Sequence, residues 1–116
     1  LANVLVVEDE ASLLELLSEV VKDLGHKVLC ASNGQEALAI LELEPTDLVI
    51  SDVMMPVMNG YTLLEQINLR PHWNKILTIL ISAAPIDRNH KPPANAYVSK
   101  PYNLNLLEDL IQNLAN

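Results

Sequence analysis

Basic residues are scarce in this chain: seven Lys and Arg stand against fifteen Asp and Glu, for a formal net charge of -8. That balance has the wrong sign for gripping a polyphosphate backbone, so direct nucleic-acid binding is not expected. Cysteine is nearly absent too. The single Cys30, inside the apolar stretch Lys27-Val28-Leu29-Cys30-Ala31, predicts a small buried hydrophobe rather than a metal ligand or a disulfide partner. A reducing, cytoplasmic compartment fits that usage. No uninterrupted apolar run approaches the roughly 20 residues needed to cross a bilayer, and no charged-then-apolar leader opens the chain, so membrane insertion is not expected. Repeats and low-complexity linkers are also missing. The first residue is Leu1 rather than Met, as expected of a domain trimmed from a longer chain.

What is present is apolar material in two alternating patterns. At 116 residues, half of them hydrophobic, the chain suits one domain (1–116) with one core. Short runs rich in Val, Ile and Leu occur at 3–7, 27–31, 47–51, 77–81 and 95–98, and between them lie segments with helical spacing. Leu13, Leu14, Leu16, Leu17, Val20, Val21 and Leu24 line one face of a first helix, which Gly25 can end in the left-handed conformation. A second helix starts near Gly34, after the turn signal Asn33-Gly34, and carries Ala37, Leu38, Ile40 and Leu41 inward until Pro45 forbids continuation. The third runs from Gly60 to Arg70, stopped by Pro71, with Met54, Met55 and Met58 filling gaps around it and Trp73 pinning the loop beyond. The last takes Asn103 as N-cap and buries Leu106, Leu107, Leu110, Ile111 and Leu114.

Strands that are apolar almost throughout, separated by helices, predict a doubly wound α/β fold: a five-stranded parallel sheet with helices on both faces. One segment departs from the alternation. Only six residues separate Pro85 from Pro92, and Pro93 pushes Pro92 out of helical geometry, so a fourth crossover helix is expected to be shortened or absent over 83–94.

In such sheets ligands bind beyond the carboxyl ends of the strands, where strand order reverses. Glu8 and Asp9 follow the first run, Asp52 the third, Ser82 the fourth and Ser99-Lys100 the fifth, so these polar groups gather on one rim. Three carboxylates on adjacent strand ends repel one another unless a cation joins them. Mg2+ suits an all-oxygen set, which it completes with waters and a phosphate. Softer metals have no donors here, because His26, His72 and His90 fall in predicted turns. Lys100 can hold a phosphoryl oxygen and Ser82 can donate a hydroxyl. The implied chemistry is phosphoryl transfer onto a carboxylate, with Asp52 on the central strand as nucleophile.

Taken together, Glu8-Asp9-Glu10, Asp52 with Met55-Pro56 and Asn59-Gly60, Ser82-Ala83, and Tyr97 three residues before Lys100-Pro101 resemble the receiver domain of two-component response regulators, across nearly the whole chain. The resemblance implies a CheY-like, flavodoxin-like sheet of order 2-1-3-4-5. It implies that Asp52 accepts a phosphoryl group from a sensor histidine kinase or phosphotransfer protein, and that Mg2+ is held by Asp9, by Asp52, by Glu8 mainly through water, and by the backbone carbonyl of Met54. Ser82 and Lys100 would contact the phosphoryl group, Tyr97 would change rotamer on activation, and the peptide before Pro101 would be cis. A downstream effector protein or domain would read the changed surface. Met54 and Ala84 stand where the family tunes loss of the phosphoryl group, and both are apolar, which implies slow self-dephosphorylation. Any chemistry is limited to self-phosphorylation and self-dephosphorylation, so the chain is expected to be a signalling module and not a conventional enzyme.

Each residue also has a plainer reading: Asp52 as a turn former, Glu8-Asp9-Glu10 as an acidic first turn, Lys100 as a solvated charge, Ser82 as a common post-strand serine, Tyr97 as a packed tyrosine. The alternative function is a degenerate receiver acting as a phosphorylation-independent interaction module. An aspartate-nucleophile phosphatase would need a second Asp where Met54 stands. A flavin module would need a phosphate loop where Glu8-Asp9-Glu10 would repel the ligand.

Overall fold

The computed structural model describes residues 1–115. Five strands, β1 (Asn3–Val7), β2 (Lys27–Ala31), β3 (Leu48–Asp52), β4 (Leu77–Ser82) and β5 (Ala96–Ser99), form one sheet in the order β2-β1-β3-β4-β5. Every pairing is parallel. Four helices connect or follow them: α1 (Ala11–Asp23), α2 (Gly34–Leu43), α3 (Gly60–Asn68) and α4 (Leu104–Ala115).

The period-2 alternation of each strand sorts its side chains onto two faces. Val4, Val6, Leu48, Ile50, Ile79 and Ile81 face one way and bury Leu17, Val21, Leu107 and Ile111 of α1 and α4. Leu5, Val7 and Val49 face the other way, against Ala37, Leu41, Leu63 and Ile67 of α2 and α3. Gly25 takes φ +92 just past α1, the left-handed stop that lets the chain turn back into β2. Asn33, Asn59 and Asn103 cap the next three helices, each side chain accepting from an N–H in the first turn. Pro71 closes α3 and itself opens a single 3-10 turn, Pro71–Trp73, whose Trp73 is buried under the Arg70 guanidinium, 4.9 Å from its ring centroid.

No helix occupies 83–95. The chain crosses from β4 to β5 as an irregular loop with a cis Lys91–Pro92 bond, over a small third cluster of Val53, Leu64, Leu80, Tyr61, Ala94 and Tyr97.

Three expectations from the sequence are corrected. Cys30 is exposed, because β2 is an edge strand paired only with β1; its thiol lies 3.1 Å from Ser18 Oγ. Leu106 is 54% exposed, because α4 turns its Leu107–Ile111 line to the sheet and leaves Leu106 off that line. Met54 is also exposed, at the rim of the loop after β3, whereas Met55 and Met58 do pack around the core. No helix among the described residues is long and apolar enough to cross a membrane.

Candidate functional site

The rim of the sheet is assembled by backbone before it is assembled by side chains. Asp52 is the last residue of β3, the central strand, and the chain beyond it is drawn into a tight path: Gly60 N–H donates to Val53 O at 2.9 Å, bringing the start of α3 back against the strand end. A Cβ at Gly60 would lie 2.6 Å from the Asp52 carbonyl oxygen and 3.0 Å from Val53 Cα, so only glycine permits this approach. Between them, Met58 N–H donates to Pro56 O at 2.7 Å, closing a three-residue γ-turn on Val57 at φ 71, a left-handed value that a β-branched residue rarely adopts.

Four charged groups converge in front of β1, β3 and β5. Glu8 and Asp52 are almost wholly buried, 2% and 7% exposed, and Asp9 is exposed beside them. Carboxylate oxygens of the three lie within 4.8 Å of one another. Lys100, arriving from the end of β5, points its Nζ between two of them, 3.0 Å from Glu8 Oε1 and 3.1 Å from Asp52 Oδ2. Its own backbone N–H donates to Ser82 O at 2.8 Å, and the Lys100–Pro101 peptide is cis. The other Glu8 oxygen accepts from Glu10 N–H at 3.1 Å, while Asp52 Oδ1 meets Met54 N–H only at 3.4 Å.

Burial pushes the Glu8 carboxyl above its ordinary value, against the opposing hydrogen bonds from Lys100 and Glu10 N–H. For Lys100 burial works to lower the value, but the hydrogen bonds to Glu8 and Asp52 outweigh it and the net shift is upward. The ammonium is therefore a resident cation that lets two buried carboxylates coexist, and the Asp9 side adds an open, all-oxygen flank able to take a hard divalent ion.

Ser82, the last residue of β4, is buried, with its Oγ accepting from Ala84 N–H at 3.1 Å. Tyr97 lies on β5, half-buried, its hydroxyl accepting from Ala94 N–H at 3.0 Å and its ring carrying the Arg88 guanidinium at 5.1 Å. The rim thus brings Glu8, Asp9, Asp52 and Lys100 together, and leaves Ser82 and Tyr97 as neighbours that engage the 83–95 loop.

The sequence reading missed the residues that moor this loop. Tyr61 of α3 accepts from Asp87 N–H at 2.8 Å, and His90 stacks on its ring and bonds Glu65. The only signal was spacing within α3, which places Tyr61 and Glu65 one turn apart on one face.

A profile of the response regulator receiver domain matches residues 4–112. The chain belongs to the response regulator receiver domain family. Relatives of this receiver include the probable transcriptional regulator ycf29 of Pyropia yezoensis, 34% identical over 97% of this chain and 52% of the relative, and the response regulator protein FleR of Pseudomonas aeruginosa, 38% identical over 95% of this chain and 24% of the relative. The chain thus spans about half, or less, of the length of the curated relatives it matches. Among solved structures, the signal receiver domain of a signal transduction histidine kinase from Syntrophus aciditrophicus superimposes with a TM-score of 0.91 at 29% identity, covering 99% of this chain and 90% of that one.

Proposed function

We propose that residues 1–116 form one receiver domain in which Asp52 accepts a phosphoryl group from a sensor histidine kinase or phosphotransfer protein, with Mg2+ as the metal, in the cytoplasm. The observation that carries this reading is the Lys100 ammonium between buried Glu8 and Asp52, with the Asp9 carboxylate completing an oxygen set within 4.8 Å. A bound Mg2+ would supply the positive charge that lets an anionic phosphoryl donor approach a carboxylate. Asp9, Asp52 and the Met54 carbonyl would hold it directly and Glu8 mainly through water.

The chain's own groups do the rest. Asp52 Oδ2 is tethered by Lys100, whereas among the described residues Oδ1 has only the long Met54 hydrogen bond and is the oxygen freer to react. As the new O–P bond forms, the P–N bond of a phosphohistidine breaks and its imidazole leaves. Lys100 follows the developing charge onto the phosphoryl oxygens. Ser82 Oγ exchanges its Ala84 N–H for donation to the same group, and Tyr97 moves into the space released. An effector protein or domain reads the resulting surface. Met54 and Ala84 offer no side-chain group to orient an attacking water, so the phosphoform is expected to decay slowly.

Borohydride reduces an acyl phosphate to an alcohol and marks the carboxyl that carried it. Treating acetyl-phosphate-labelled protein in this way and sequencing its peptides by mass should place the reduced residue at position 52. Reduction at Glu8 or Asp9 instead would overturn the assignment.

A further inference from the structure

The loop over 83–95 is bonded at its end, where Asn95 N–H donates to Thr78 O and Asn95 Oδ1 accepts from Thr78 N–H, both at 2.9 Å, and its other ties gather around His90. Its Nε2 lies 3.0 Å from Glu65 Oε2 of α3 and its Nδ1 3.3 Å from the carbonyl oxygen of Pro92. Its ring stacks on Tyr61 with centroids 4.6 Å apart, and its backbone N–H donates to Asp87 O at 3.3 Å. On either side, Asp87 N–H reaches the Tyr61 hydroxyl and Ala94 N–H reaches the Tyr97 hydroxyl. Arg88, two residues before His90, lies over the Tyr97 ring.

Both ring nitrogens of His90 face oxygens that carry no proton at neutral pH. A neutral imidazole has one N–H and can satisfy only one of them, whereas the imidazolium donates to both and also gains from the Tyr61 π-face. We propose that the 83–95 loop is a pH-sensitive latch over Tyr97, held shut by the imidazolium form of His90. The titratable residues in contact with His90 are Glu65 and Tyr61 from α3 and, from the loop itself, Asp87 through its carbonyl oxygen; Arg88 is engaged on Tyr97 of β5, and the Asp87 carboxylate takes the Asn89 N–H. Among the described residues Glu65 supplies the carboxylate in contact with the ring, its Oε2 3.0 Å from His90 Nε2.

When the ring loses its proton, one of the two anchors turns from a donor–acceptor pair into two facing lone pairs. The Pro92–Ala94 stretch then loses its anchor on the His90 side, while Asn95 stays bonded to Thr78, and the Ala94 N–H that holds the Tyr97 hydroxyl is held less firmly. Histidine is the side chain whose charge ordinarily changes near physiological pH, so a latch built on one answers to pH. Its effect on signalling rests on the phosphoacceptor reading: a shut latch would oppose the Tyr97 movement and an open one would favour it. The latch itself does not need phosphorylation.

Amide hydrogen exchange on metal-free, unphosphorylated protein, corrected for intrinsic rates, tests it directly. Protection of the Ala94 and Asp87 amides should fall severalfold as pH rises from 5.5 to 8, while Ile50 in β3 stays protected and reports an intact fold. His90→Gln should flatten the profile. Glu65→Gln, which removes the carboxylate that the ring contacts, should lower the protection of both amides at pH 5.5. A flat wild-type profile, or a step that survives in His90→Gln, would overturn the latch while leaving the phosphoacceptor reading untouched.

Discussion

Lys100 is the residue whose removal should reveal most about the site, because Glu8 and Asp52 depend on it as a counter-charge. Truncating it to Ala strands two buried carboxylates, which should cost about 1–3 kcal/mol in denaturant unfolding at pH 7, the range for leaving buried polar groups unpartnered. A change indistinguishable from zero would mean that the ammonium is solvated and does not organise the rim. Glu8 makes the opposite prediction. Its folded-state pKa is raised by burial, so the stability it contributes is full below the unfolded value and is lost as pH rises through the folded one. In metal-free buffer Glu8→Gln should therefore melt higher than wild type at pH 7, with the gap closing as pH falls toward the ordinary glutamate value of 4.5. A wild type that melts higher at pH 7 would contradict this. Val57, at φ 71 in an exposed γ-turn, should gain about 1 kcal/mol when replaced by Gly, which adopts that conformation without strain. Much of this scale was legible in the sequence, since an acid directly after an apolar run marks a strand end in a parallel sheet. The partner of each acid was not: Lys100 lies 92 residues from Glu8, and pattern alone cannot choose between its two oxygens.

Among the elements, the junction of β3 and α3 carries the tightest geometry. Gly60→Ala would drive a methyl into the Asp52 carbonyl, and overpacking of this kind costs about 1–3 kcal/mol. The same variant should weaken magnesium binding by calorimetry, because the Met54 carbonyl and Asp52 share the displaced backbone. Magnesium affinity equal to wild type would remove that backbone from the proposed site. The edge strand β2 gives a simpler test: Cys30 should react with a thiol reagent in the native protein as fast as in the unfolded one, within about tenfold, and protection beyond that would restore the buried reading. Periodicity predicted every strand and helix here, because an apolar repeat reports burial against something. It cannot report which strand is last in the sheet, which exposes Cys30, nor which edge of an apolar helix stripe meets the sheet, which exposes Leu106. The absent helix at 83–95 was legible from Pro85, Pro92 and Pro93, which deny it a donor and the right backbone angles. What the loop does instead depends on Tyr61, Glu65 and Tyr97, which the fold alone brings to it.

At the scale of the whole molecule, the parallel strands put the ends of β1, β3 and β5 at one rim, with the 83–95 loop beside it between β4 and β5, so the proposed charge at Asp52 would arise next to that edge. The central claim is that Asp52 accepts that charge. Intact-mass measurement after incubation with acetyl phosphate and Mg2+ tests it most directly. Wild type should gain the mass of one phosphoryl group, and Asp52→Asn or chelation of the metal should abolish the gain. An unmodified wild type, or a phosphoryl group retained on Asp52→Asn, would contradict the account.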